Sequence, residues 1–218
     1  MKKTSKKKPL SRKRILRVAV KYADENGIES LNMRRLATLL DTGPMSLYHY
    51  FSNKEDLLDA MVDWVASKIE QPTSDIHWRE AITHTSISAH QILMKHQWVN
   101  TIWSTQELGP NKLVWFEAIL RTLREAGFSI PLACDAYHAI VVHIEGFTLH
   151  AIGFPVKPDE AQSFAAEFLN WVKDTKSIPY FVEHVQYHVD KKDCSDQFEV
   201  TLNMILDGFE ARLKKNQD

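Results

Sequence analysis

Residues 32–54 read N-M-R-R-L-A-T-L-L-D-T-G-P-M-S-L-Y-H-Y-F-S-N-K, and this stretch decides the fold. Its first part predicts a short helix. Asn32 can cap that helix, because its side-chain oxygen can accept a hydrogen bond from an N–H of the first turn. The apolar residues that follow recur at helical spacing and predict one buried face, formed by Met33, Leu36, Ala37 and Leu40.

A second short helix follows at once. Residues 41–43, Asp-Thr-Gly, break the apolar pattern, and Pro44 suits the first position of a helix, where its missing N–H costs nothing. Ser52 and Glu55 form an S-x-x-E capping box, which predicts the start of a longer helix. Two short helices joined by a tight turn over about residues 32–51 predict a helix-turn-helix, whose second helix can enter the major groove of DNA.

This stretch is similar to the tetracycline-repressor (TetR) family of bacterial transcriptional regulators. The resemblance rests on M-R-R-L-A at 33–37 and S-L-Y-H-Y-F-S-N-K-E-D-L-L at 46–58, and it covers roughly residues 9–69. One position departs from the family pattern: Asp41-Thr42 stand where the turn usually carries small apolar residues, often Gly-Val. We expect Gly43 to take the positive-φ position of this turn, because glycine adopts it without steric cost.

The resemblance implies which residues of this unit face DNA. The outward residues of the second helix lie toward base edges, and Tyr48 and Lys54 reach phosphates. Arg34 is the candidate for a guanine contact, because a guanidinium matches O6 and N7 of guanine with two hydrogen bonds. The predicted DNA-binding set is Arg34, Gly43, Pro44, Met45, Ser46, Tyr48, His49 and Lys54. The predicted partner is double-stranded operator DNA.

The charge is unevenly distributed along the chain. Residues 1–58 hold 13 Lys+Arg against 6 Asp+Glu, whereas the remaining residues hold 14 against 22. A basic head of this kind is typical of a phosphate-binding surface. A solubilising, disordered tail is the alternative interpretation of the lysines in residues 1–9, and both can hold together.

Length and composition describe an ordinary globular chain. Its 218 residues are enough for one large domain or two small ones. No run of about 18 apolar residues occurs and the basic N-terminus lacks an apolar h-region, so we predict neither a membrane span nor a signal peptide. Two cysteines, Cys134 and Cys194, suit a reducing cytosol, and the predicted location is cytoplasmic.

The predicted fold class is all-α. A basic disordered tail at 1–9 precedes a three-helix, helix-turn-helix head at 10–70, and a larger helical body at 75–216 is expected to bind an effector and to form a dimer. The fourth helix, about 52–70, joins head and body, and residues 72–75, Pro-Thr-Ser-Asp, form a linker-like break. Further helices are predicted at about 76–96, 98–105, 110–126, 131–152, 159–171, 180–189 and 196–214.

Two body helices carry residues suited to a partner helix. The helix at 131–152 mixes large residues with small ones, and the last helix carries an apolar stripe. The predicted dimer-interface residues are Ala139, Gly146, Phe198, Leu202, Ile205 and Phe209. The alternative is that these residues face the body's own core. The resemblance favours a homodimer, because in that family the last two long helices of each subunit form a four-helix interface.

Aromatic residues cluster in the body. They indicate either core packing or an effector cavity with apolar walls and a few polar groups. The predicted effector-binding residues are His90, Trp103, Trp115, Phe116, Tyr137, His143 and Phe147. The effector itself is an unknown small molecule.

No cofactor and no metal are predicted. His184/His188 and His143/His150 share helical faces, which leaves a metal open, but the chain has no Cys-x-x-Cys or His-Glu-x-x-His pattern. It also has no phosphate-binding glycine loop and no G-x-S-x-G motif, so we do not expect an enzyme.

We therefore expect a homodimeric repressor that binds a palindromic operator and is released by a small apolar or aromatic ligand. Two alternatives stay open from the sequence. One is an enzyme or small-molecule carrier with an incidental helix-turn-helix, and the other is an architectural DNA protein that is indifferent to sequence.

Overall fold

The computed structural model describes residues 9–153, 160–172, 176–190 and 197–215. Within these ranges the chain forms ten α-helices and one 3₁₀ helix and contains no strand, which confirms the all-α prediction. The α-helices are α1 (Arg12–Asn26), α2 (Met33–Leu39), α3 (Pro44–Tyr48), α4 (Lys54–Ala66), α5 (Trp78–Lys95), α6 (Pro110–Glu125), α7 (Ile130–Gly153), α8 (Ala161–Trp171), α9 (Pro179–Asp190) and α10 (Gln197–Lys215). The 3₁₀ helix (Gln97–Thr101) follows α5 and covers only the first half of the helix predicted at 98–105. Residues 1–8 of the basic tail and Cys194 lie outside the described residues.

Helix α1 begins and ends where local chemistry predicts. The Ser11 hydroxyl accepts a hydrogen bond from the Arg14 N–H at 3.3 Å and caps the first turn. Gly27 ends the helix with φ 80°, a left-handed conformation that glycine adopts without penalty. The apolar face of α1 packs on α2 and α4, with Ile15 and Ala19 fully buried.

The turn of the helix-turn-helix differs from the prediction. Gly43 has an ordinary φ of −80° and caps α3, whereas Asp41 takes the left-handed conformation with φ 52°. Aspartate tolerates this region better than most residues, because its short polar side chain can bond locally. Asn32 caps α2 as predicted, accepting from the Arg35 N–H at 2.9 Å, and Pro44 is the first residue of α3.

The capping box of α4 lies one residue later than predicted. Asn53, not Ser52, is the cap, and its side chain accepts from the Asp56 N–H at 2.7 Å. Asp56, not Glu55, reaches back and accepts from the Ser52 N–H at 2.8 Å. Glu55 follows Ser52 by three residues, and Asp56 follows Asn53 by three residues. The spacing of the capping box therefore could not distinguish the two pairs.

The chain divides into two compact units, residues 1–137 and 138–218. The first unit contains the helix-turn-helix together with α4, α5 and α6. In the second unit, α8 packs against α9, where the rings of Phe168 and Phe181 lie 5.6 Å apart. The boundary expected between residues 70 and 75 stays a prediction.

The apolar stripe of α10 belongs to the core of its own unit. Phe198, Leu202 and Phe209 are only 5%, 0% and 8% exposed in the single chain. Because these side chains are already covered within their own chain, they have little surface left for a partner, and their place in a subunit interface stays a prediction. Ile205 and Ala139 are half-buried, and Gly146 is exposed.

None of the helices, over the residues that the structure describes, is long and apolar enough to cross a membrane.

Candidate DNA interface and its attachment to the body

Helix α3 has a buried side and an exposed side. Leu47 is fully buried and Phe51, just after the helix, is 1% exposed, so they hold the helix against the core of the first unit. The opposite side exposes Pro44, His49, Met45 (73%) and Tyr48 (44%). The outer face of this five-residue helix is therefore left uncovered by the residues that the structure describes.

The other predicted DNA-facing residues surround this exposed side. Arg34 and Gly43 are exposed, whereas Ser46 and Lys54 are half-buried. Lys54 is the first residue of α4, where the helix macrodipole adds positive potential. The geometry thus leaves all eight predicted residues at least partly accessible.

Two exposed residues beside this set were not predicted. Thr38 and Leu39 lie on α2, and the Thr38 hydroxyl donates to the Arg34 carbonyl at 3.1 Å. Thr38 follows Arg34 by four residues, so both share one helical face. The four-residue spacing from Arg34 is the signal in the sequence that could have indicated Thr38. Asp41, in the turn, adds one acidic side chain to the same exposed region.

Two arginines near the head have structural roles. Arg12 donates to the Tyr50 carbonyl at 2.6 Å, lies 4.2 Å over the Phe51 ring and approaches Asp56 at 3.5 Å. It joins α1 to the start of α4. Arg35 lies over the Tyr22 ring, and a hydrogen bond from Ser30, helped by Arg35, lowers the pKa of the Tyr22 hydroxyl.

Two aspartates of α4 accept hydrogen bonds from the first turn of α6 and from the loop before it. The Asp63 carboxylate accepts from the Asn111 N–H at 2.7 Å and from the Lys112 N–H at 3.1 Å. Asp59 accepts from the Glu107 N–H at 3.1 Å. Since these partners are separated by 48 or 49 residues, no local pattern in the sequence could indicate them.

A third aspartate attaches α1 to the end of α5. One oxygen of Asp24, Oδ1, lies 2.7 Å from His96 Nδ1 and 2.7 Å from Trp98 Nε1. None of these three residues was among those predicted to bind DNA or an effector. A cleft of about 460 Å³ adjoins this contact, lined by Gly27, Glu29, Lys95 and Gln97 among others.

Five of the seven predicted effector residues lie in the first unit. Trp115 is fully buried, and its indole N–H donates to the Thr85 hydroxyl at 3.0 Å. Trp103 is 2% exposed. The Lys112 ammonium donates a hydrogen bond to the Trp103 carbonyl at 2.5 Å and lies 4.4 Å from the centre of the Trp103 ring. Phe116 and Tyr137 are half-buried and meet edge to face at 5.6 Å. His90 is also half-buried.

The remaining two effector candidates lie in the second unit. His143 stacks on Phe198 at 4.8 Å, and Phe147 meets Phe198 edge to face at 5.4 Å. The Nε2 atom of His143 lies 3.0 Å from the Phe198 carbonyl, so it must carry a proton and donate. Burial lowers the pKa of His143 and this hydrogen bond partly opposes the shift.

The described residues contain no group of three or more histidine, cysteine, aspartate or glutamate side chains able to hold a metal ion. Of the predicted pairs, His184 is exposed and its ring approaches Phe181 at 6.1 Å. The side chain of His188 and the whole of Cys194 lie outside the description.

Taken together, a capped short helix with an exposed apolar and polar face, preceded by a second short helix, defines a helix-turn-helix DNA-binding protein. The comparisons with known proteins agree. The family described as "Bacterial regulatory proteins, tetR family" matches residues 15–61, and "Tetracyclin repressor-like, C-terminal domain" matches residues 71–213.

Similar proteins extend over nearly the whole chain. The HTH-type transcriptional repressor DrrR1 of Streptomyces coeruleorubidus is 32% identical over 219 residues, covering 94% of this chain and 79% of the relative. The tetracycline repressor protein class A from transposon 1721 of Escherichia coli is 28% identical, with 91% and 89% covered. The crystal structure of the Streptomyces coelicolor TetR family protein ActR in complex with actinorhodin aligns with a TM-score of 0.79 and 28% identity, covering 94% of this chain and 99% of that chain.

The chain therefore belongs to the TetR family of transcriptional regulators, as its sequence predicted. It is a DNA-binding transcriptional repressor and not an enzyme.

Proposed function

We propose that this repressor binds a palindromic operator as a homodimer in the cytoplasm and that a small apolar or aromatic ligand releases it. The observation that carries the proposal is the exposed outer face of α3, with Met45, Tyr48 and His49 presented over the buried Leu47. One such helix reads only a few base pairs, so two copies related by a two-fold axis are needed for a long, selective site.

Exposed faces of two helices of the second unit support the dimer. On α7, Val142 (64%), Gly146 and Leu149 are exposed at helical spacing, and a β-carbon added to Gly146 would meet nothing within 4 Å. On α10, Val200, Met204 and Gly208 repeat every four residues on the exposed side. Small and apolar residues in this arrangement allow close helix packing. This face replaces the buried stripe of α10 in the proposed interface.

The aromatic residues of the body support an aromatic effector. Phe116 and Tyr137 leave ring surface accessible, and half-buried His90 adds a polar group in the same unit. The relative ActR has been crystallised in complex with actinorhodin. His143 and Phe147 form a second aromatic group that an effector could contact. Ligand binding would favour a body arrangement in which the two heads no longer match half-sites about 34 Å apart.

The test is DNA selection from a random duplex pool, followed by titration of the selected duplex and a random duplex at the same salt concentration. We expect an inverted repeat, bound at least about a thousandfold more tightly than random DNA. Equal affinity for both duplexes would instead support an architectural DNA protein. Release from the selected duplex by members of a panel of aromatic compounds tests the effector.

A further inference from the structure

The contact between Asp24 and the end of α5 is built from one acceptor and two donors. Asp24 Oδ1 receives the Nδ1–H of His96 and the indole N–H of Trp98, both at 2.7 Å. Trp98 can only donate, and a neutral histidine whose Nδ1 faces a carboxylate carries its proton there. His96 is 5% exposed, so water reaches this contact only from the side of Asp24, whose side chain is 28% exposed.

His96 occupies the hinge between α5 and the 3₁₀ helix. It follows Lys95, the last residue of α5, and its backbone (φ −111°, ψ 59°) belongs to neither helix. Its ring also meets the ring of Trp64 edge to face, with centroids 6.0 Å apart. A single side chain therefore contacts α1 through Asp24 and α4 through Trp64, and α1 itself packs on both α2 and α4.

Helix α5 connects this hinge to the buried aromatic residues. Thr85, on the same helix, accepts from the Trp115 indole and donates to the Glu70 carbonyl at 2.6 Å. Residues 85 and 96 are eleven positions apart, which is about 16 Å along an α-helix. A displacement of α5 at the Trp115 contact would therefore also move the end of this helix, next to His96.

We propose that His96 is a positioning residue for operator recognition, which holds the DNA-reading head in its binding orientation through Asp24 and Trp64. This inference rests on the proposed function. The contact between His96 and Asp24 connects α5 to the head through α1, in addition to the connection between head and body that is expected through α4. Only the held orientation binds operator tightly, so loss of the contact reduces affinity in proportion to the fraction of molecules that still adopt it.

Two substitutions separate the two contacts of His96. His96→Phe keeps a ring against Trp64 but removes the donor to Asp24, whereas His96→Asn keeps an N–H near the Nδ1 position and removes the ring. We expect His96→Phe to weaken binding to the selected duplex about tenfold or more. Binding to random duplex should be nearly unchanged, and His96→Asn should restore part of the loss. Combined with Asp24→Ala, His96→Phe should add little, because Asp24→Ala has already removed the acceptor of the same bond.

A distance measurement distinguishes positioning from general destabilisation. Spin labels at Lys21→Cys on α1 and Glu117→Cys on α6, both exposed positions, report the orientation of the head within one chain. The native cysteines are replaced by serine, and labelled protein is diluted with unlabelled protein. His96→Phe should broaden the distance distribution while helicity is retained, and addition of the selected duplex should narrow it again.

The outcomes separate this inference from the proposed function. If wild-type protein selects no duplex over random DNA, the proposed function fails. If wild-type protein is selective but His96→Phe binds the selected duplex equally well with an unchanged distance distribution, only the role of His96 is rejected. A variant that loses helicity together with binding would also reject positioning in favour of a purely structural role.

Discussion

Gly109 and Asp63 lie so close that a β-carbon added to Gly109 would be 2.4 Å from the Asp63 carboxyl carbon. The backbone of Gly109 has an ordinary φ of −72°, so steric contact and not conformational freedom requires glycine here. The same carboxylate accepts the first N–H groups of α6, because the N-cap position itself has no side chain.

We predict that Gly109→Ala displaces Asp63 and lowers the free energy of unfolding by about 1–3 kcal/mol, through strain and a lost helix cap. Urea unfolding followed by circular dichroism measures this. Gly153→Ala is the matched control: its position on α7 is open, so alanine should be neutral or stabilising by up to about 1 kcal/mol. Equal effects at the two glycines would contradict the importance of the contact with Asp63.

The left-handed conformation of Asp41 and its charge can be tested separately. Asp41→Asn keeps a residue that tolerates φ 52° but removes a negative charge beside the proposed DNA-facing residues, so we expect tighter DNA binding with nearly unchanged stability. Asp41→Val also removes the charge but is strained, and should cost about 1–3 kcal/mol of stability. Thermal unfolding of both variants measures the stability, and DNA titration measures the affinity. Equal stability of the two would show that the turn relaxes.

Arg34 and Lys54 should differ in what they contribute to binding. Arg34→Ala should cost about 1–3 kcal/mol on the selected duplex and relax the preference at one base pair, whereas Lys54→Ala should weaken selected and random duplexes alike. Titrations with both duplexes measure the difference. Equal losses on both duplexes for Arg34→Ala would reject its role in reading a base.

The proposed interface predicts opposite outcomes for two residues of α10. Met204→Glu places a charge on the exposed face, at a side chain that is 65% exposed, and should yield a folded monomer. Phe209→Glu buries a carboxylate within the chain and should unfold the second unit. Sedimentation and circular dichroism separate the two results. Val114→Glu, at an exposed position on α6, is the control and should remain dimeric. A dimeric Met204→Glu variant would place the interface elsewhere.

His143 should contribute a pH dependence to stability. Because its pKa is lowered in the folded state, the unfolded chain binds more protons just below the usual histidine pKa of about 6.5. The contribution of His143 is therefore fully present above that pH and is lost as the pH falls through the folded pKa. The free energy of unfolding, measured with urea at several pH values, should fall less toward acidic pH for His143→Gln than for the exposed control His150→Gln. If the free energy of unfolding falls equally in the two variants, the lowered pKa of His143 is contradicted.

What could be predicted from the sequence was local. Ser11 and Asn32 mark helix starts through bonds to the N–H three residues on, and Pro44 marks one through its fixed φ and missing N–H, so a short stretch contains all the information needed. Where two neighbouring residues offered the same chemistry, as at the start of α4, the choice depended on packing. The left-handed residue of the turn was missed for the same reason, since both Asp41 and Gly43 were available.

Contacts between distant segments could not be predicted. Asp24 and His96 are 72 residues apart, and neither belongs to a periodic pattern that indicates the other. The stripe of α10 shows a second limit: apolar periodicity predicts that a face is buried, but not whether the chain's own residues or a partner bury it. In the single chain this stripe is already covered by the chain's own residues.

The burial of the α10 stripe within each chain also bears on what happens when copies of the protein mix. If dimers form as proposed, a dissociated protomer keeps its own core covered and can pair again without refolding. We therefore expect protomers to be exchanged between dimers. A copy that cannot bind DNA because its helix-turn-helix is mutated, made in the same cell as intact protein, would be incorporated into mixed dimers. Its effect on the regulated genes would then be dominant, in proportion to how much of it is made.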